Sequence, residues 1–300
     1  MRLIVMLTLF ITVSAQASYL FSEKVFQPNK RWKEYSEDEK ENLKNLFRKL
    51  IKSKTGKELI GLAQKKAQIS NKKILDVVKA GNGSLTDTTL IRKFSMGRPD
   101  QISYESNSVV YINNELTQYD AVLDLAHELT HYVYRTNFNP YEINFTLSEF
   151  IKNTIEGRGG EVQAFIMECR VQKELFPGWV DNKFNCKKIR DDNTGEFSFT
   201  EATKRFYQVG NYFQSFDNVL KKHGIRSEFD NISQEQASFV SSAYGIPYPV
   251  AAFEEYLSVI NKVCENDKRR LGYFKSTKGR SPASVNQFEQ DYLKKCKAYN

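Results

Sequence analysis

Histidine is scarce in this chain, with three in 300 residues. Any chemistry built on imidazole must therefore draw on His127, His131 or His223. Cysteine is scarce as well, at four, and no two of Cys169, Cys186, Cys264 and Cys296 are closely spaced. That argues against a Cys₄ zinc site. Past residue 13 no stretch is apolar enough to cross a bilayer, so no transmembrane anchor is expected. There is no internal repeat and no low-complexity linker. The net charge of +8 is spread out rather than gathered in one block, and no nucleic-acid partner is expected.

The longest apolar run is at the start. Residues 1–17 read as a secretory signal peptide, with Arg2 as the charged region, residues 3–13 as the apolar run and Ala15-Gln16-Ala17 as the cleavage motif. The expectation is an exported protein, periplasmic or secreted, cut after Ala17. An even cysteine count in such a chain predicts two disulfides. Proximity in sequence favours Cys169–Cys186 and Cys264–Cys296.

Three parts are expected after the leader: a helical segment over 18–80, a core over 81–180 and a helical part over 181–300 packed on that core. Ser36 with Glu39, and Thr55 with Glu58, have capping-box spacing ahead of apolar residues at helical intervals. Residues 74–78 suit either helix or strand. Residues 88–94, 102–105 and 108–112 read as short strands. Later helices are expected where Phe206, Val209, Phe213, Phe216 and Leu220 recur, along Val250 to Val263, at Val285, Phe288 and Tyr292, and over 233–243. Residues 268–280 read as a basic loop.

The most informative stretch is His127-Glu128-Leu129-Thr130-His131. It lies in a helical pattern from Tyr119 to about Tyr134, with Val122, Leu125, Ala126, Leu129 and Val133 on one apolar face. Histidines four apart project from the same side of a helix, so both imidazoles can grip one Zn²⁺. Glu128 is then placed to take a proton from water. An accidental HExxH in a chain with so few histidines arises about once in several hundred.

This pattern resembles the zincin metallopeptidases, over residues 109–175. The resemblance implies an α+β, mostly helical fold with a small antiparallel sheet packed on the HExxH helix and a helical C-terminal part. It implies that Val109-Val110-Tyr111-Ile112 forms the rim of a cleft and binds extended substrate by strand addition. It also implies hydrolysis of a protein or peptide through a zinc-bound water, with Glu128 as general base. Two other classes are open: a zincin-fold binding protein with little turnover, and a hydrolase of cell-wall peptide amides.

A catalytic zinc takes three protein ligands. His223, at a helix end before Gly224, is accounted for by the helix dipole. Glu156, Glu161 and Glu168 compete for the third place. Glu156 precedes a Gly-rich break, and Glu168 lies about 10 Å of helical rise beyond Glu161. Glu161 follows Gly159-Gly160, whose lack of side chains lets its helix come close to the histidines. It also resembles the glutamate of the gluzincin group. That group often has an Asp four residues on, where Phe165 stands here; a second form has a small residue three on, which Ala164 matches. His127, His131 and Glu161 are thus the expected ligands. Tyr132, Tyr134 and Tyr141 are oxyanion candidates by proximity, and Tyr244 and Tyr248 by chemistry alone.

Overall fold

The computed structural model describes residues 26–95, 98–136, 138–142, 145–178, 184–276 and 282–296, so the expected signal peptide lies outside the described residues. Helix α1 (Glu39–Leu50) is capped by Asp38, whose side chain accepts from the Lys40 amide. Helix α2 (Lys54–Ile69) is capped by Ser53, which accepts from the Gly56 amide. Both caps differ from the expected Ser36 and Thr55. Ser36 instead accepts from the Asp38 amide, and Thr55 gives its amide and hydroxyl to the Glu174 carboxylate.

Residues 74–78 divide between a single helical turn, α3 (Ile74–Val77), and strand β1 (Val78–Gly81). The three expected short strands are two long ones, β2 (Leu85–Ser95) and β3 (Arg98–Asn113). The sheet order is β1-β3-β2. β3 is parallel to β1 and antiparallel to β2, so the sheet is mixed rather than antiparallel. The reason is topological: β3 inserts between the first two strands and runs in the direction of β1.

Helix α4 (Gln118–Tyr134) carries the two histidines, and its N-cap Thr117 accepts from the Asp120 amide. Val122, Leu125, Ala126 and Leu129 are fully buried in a core shared with α1, α2 and the central strand residues Val110 and Ile112. Helices α5 (Leu147–Ile155) and α6 (Glu161–Leu175) follow. α6 is apolar on two sides. Met167 and Val171 join the first core. Val162, Phe165, Ile166 and Cys169 join a second core, shared with α7 (Phe184–Lys188), α8 (Phe199–Phe206), α9 (Phe213–Lys222) and α10 (Tyr248–Ser276). α6 therefore separates the two cores. Disulfides join Cys169 to Cys186 and Cys264 to Cys296, the second bridging α10 to α11 (Pro282–Cys296).

Three expectations about the C-terminal part fail. Phe206 to Leu220 is not one helix, because α8 ends at Phe206 and Gly210 turns the chain with φ +54°. Residues 233–243 are not helical. Their backbone groups bond to another segment instead: the amides of Val209 and Gly210 donate to the carbonyls of Ser233 and Glu235. Residues 268–276 are not a loop but the last turns of α10, which carry buried Arg270, Leu271 and Phe274. Arg92 of β2 meets Asp267 of α10 at 2.7 Å with both side chains nearly buried, and its guanidinium lies 3.8 Å over the Tyr141 ring. That clasp fastens the hairpin to α10 across a cleft whose floor is α4. No helix among the described residues is long and apolar enough to cross a membrane.

Candidate metal centre

His127 and His131 stand one turn apart on α4, ring centroids 4.8 Å apart. Each ring has an acceptor behind it. The Nδ1 of His131 is 2.8 Å from the Gly159 carbonyl oxygen, and the Nδ1 of His127 is 3.3 Å from Glu168 Oε2. A proton on each Nδ1 satisfies these acceptors and leaves each Nε2 with a free lone pair, the form a metal ligand requires. Both Nε2 atoms face Glu161: its Oε2 is 3.3 Å from His127 and its Oε1 3.4 Å from His131. The donor atoms of His127, Glu128 and His131 also lie within 4.8 Å of one another. With each Nε2 deprotonated, two imidazoles and a carboxylate suit a divalent ion, and His127, Glu128 and His131 could hold one.

Two carboxylates thus compete to complete the donor set. Glu161 is the one that meets both imidazoles. It is further fixed by Arg135, whose Nη2 donates to it at 3.1 Å, and by the hydroxyl of Tyr248. Glu128 faces the cleft, and Thr86 Oγ1 of β2 is 2.8 Å from its Oε2. Burial opposes charge throughout. Even so, Glu161 and Glu168 hold His127 well above the usual imidazole range, and His131 and His127 hold the Glu161 carboxyl well below its usual range.

The approach of α6 to α4 depends on Gly159. Its φ is +70°, and a Cβ there would lie 2.2 Å from the Arg135 amide nitrogen. Only glycine lets this turn lie against the end of α4 with its carbonyl accepting from His131 and Arg135. The expectation that Gly159-Gly160 allows a close approach has this as its physical form.

The centre opens into a cavity of about 440 Å³ bounded by β2, α4 and α10. Its strand wall is not the expected one. Residues 109–112 belong to the middle strand, and the edge facing the cleft is β2, with Thr86, Thr88 and Leu90 among its lining residues. Tyr132 is buried in the first core, Tyr134 lies under Arg158, and Tyr141 packs under Arg92. None of these three lines the cavity, whereas Tyr244 and Tyr248 do. His223 packs near Phe253 and lies outside it, and Glu156 accepts from Tyr207 away from it.

Thr86 and Arg135 are site residues that the sequence reading missed, and Glu168, weighed there only as a ligand, stands instead behind His127. Glu168 is seven residues from Glu161, two turns along the same face of α6. It cannot share the position of Glu161, but it reaches the far nitrogen of His127. That spacing was the one available signal for it. No protein-family model matches the chain, and no curated protein and no solved structure is similar to it.

Proposed function

We propose that this chain is a zinc-dependent peptidase of the zincin kind, acting in an oxidising compartment outside the cytoplasm. The observation that carries the reading is the convergence of two imidazole Nε2 atoms on Glu161, with both Nδ1 atoms held from behind and a second carboxylate, Glu128, beside them in an open cleft. His127, His131 and Glu161 would hold the ion. When bound, Zn²⁺ polarises a scissile carbonyl and acidifies water. Glu128 takes the proton from the attacking water and passes it to the leaving amine. Thr86 holds the Glu128 carboxylate in position for that transfer.

Tyr248 supplies a hydroxyl that stays protonated. Burial and the nearby carboxylates Glu161 and Glu128 push its ionisation far up, so it keeps its one proton, which it gives to Glu161 in this structure and would turn to a developing oxyanion in the transition state. The free edge of β2 offers backbone groups to an extended peptide. Two disulfides and a leader-like N-terminus support the compartment.

Metal content and peptide-library cleavage, measured together on wild type and Glu128→Gln, test the reading. Wild type should hold about one zinc per chain and cleave. Glu128→Gln should keep zinc and fold while turnover drops by ~10²–10⁴-fold. Undiminished turnover in the variant refutes the assignment of Glu128 as base.

A further inference from the structure

The protein is basic overall, yet its cleft is acidic. Four carboxyl-bearing residues line it, Asp87, Glu128, Glu161 and Glu255, against a single guanidinium, Arg135. Two of the four belong to the proposed centre, and Arg135 is engaged by Glu161 and the Gly159 carbonyl. Glu255 is different. It stands on α10 one turn past Ala251 and Ala252, exposed to solvent and, among the described residues, in no hydrogen bond or ion pair, with Arg135 acting on it only at longer range. Solvent reaches it from the cleft mouth, but the surrounding protein makes its ionisation costly and raises its pKa; Arg135 opposes that and Glu161 adds to it.

The same cavity is also lined by Phe138, Phe145 and Phe150, their rings 5.2–6.0 Å apart. Phe145 stacks on Tyr256, the neighbour of Glu255 on α10. Aromatic faces and an unpaired carboxylate lining one cavity suit a cation, by ring quadrupole and by charge. An apolar side chain placed there would strip water from Glu255 and give nothing back. An acidic side chain would be repelled.

We propose that this part of the cavity wall is a specificity pocket that takes the side chain of a lysine or arginine in a peptide substrate, with Glu255 as its counter-charge. The substrate class rests on the peptidase reading; the pocket's binding preference does not. An N-terminal amine carries the same charge, so the test peptides are blocked at both ends, and a parallel set with free amines scores that source.

The experiment uses the full chain, zinc-loaded, with Glu128→Gln so that bound peptide persists. Labelled peptides carrying one lysine, acetyl-lysine, norleucine or glutamate at successive positions are titrated by fluorescence anisotropy. At one position lysine should bind about tenfold more tightly than acetyl-lysine or norleucine. Adding Glu255→Gln should remove that difference, while Glu255→Asp keeps part of it. Zinc content and thermal midpoint check that these variants fold. If Glu255→Gln does not fold, the lysine and acetyl-lysine pair still decides. Equal binding of the two, a difference that survives Glu255→Gln, or a preference confined to free N-terminal amines overturns the proposal. Cleavage by the chain with Glu128 intact is scored separately. Cleavage without the preference sinks the pocket alone, and Glu255-dependent binding without cleavage sinks the peptidase reading alone.

Discussion

The two imidazoles are held from behind by unlike acceptors, a backbone carbonyl for His131 and a carboxylate for His127. This difference can be tested. Glu161→Ala should abolish or greatly weaken zinc binding, measured by competition with a chelating dye. Glu168→Ala should retain zinc but bind it about 10–100-fold more weakly, since it removes an orienting partner rather than a donor. Glu168→Gln should recover part of the loss, and Glu156→Ala, whose partner is Tyr207, should match wild type. Equal affinities across the series would refute this division of roles. His127, Glu128 and His131 were legible because four residues of helix fix their relation locally. Glu161 was legible because adjacent glycines announce a close approach. Thr86 and Tyr248 were not placed, because they come from β2 and α10 and reach the site only through packing between distant segments.

The decisive element is the turn of residues 157–160 that joins α5 to α6. A left-handed backbone costs a residue with a Cβ about 1–2 kcal/mol, and at Gly159 that Cβ would also press into the end of α4. Gly159→Ala should therefore lower stability by about 2 kcal/mol or more in denaturant titration, and should weaken zinc binding by displacing the carbonyl behind His131. A variant with unchanged stability and affinity would show that the turn is not what positions α6. Helices with a sustained apolar stripe, such as α4 and the first half of α10, were readable from their period. The break after Phe206 was not, since the stripe from Phe206 to Leu220 runs through it and the break comes from backbone pairing with residues 233–235. Strand order was likewise hidden: alternation marks β3 as a strand but does not say that it lies in the middle.

At the scale of the whole molecule, an ion bound only by the folded chain raises stability by mass action, by about 2.7 kcal/mol at a hundredfold excess over Kd. Thermal unfolding should then shift upward by roughly 4–5 °C with zinc and fall back with a chelator. Glu128→Gln should show the same shift, and Glu161→Ala little or none. A wild-type midpoint indifferent to zinc would leave the centre without a resident ion. The place of α6 gives this linkage a second use. His127 and His131 stand on a helix rooted in the first core, and Glu161 stands on α6, whose Met167 and Val171 share that core while Val162, Phe165 and Ile166 are rooted in the second. A donor set of this kind would close when α6 is seated on α4, and through α6 a bound ion would act as a vernier on the alignment of the two cores. Cavity-forming substitutions at the seam, far from any donor atom, should slow zinc uptake and speed its release before they change the unfolding midpoint of the zinc-free protein.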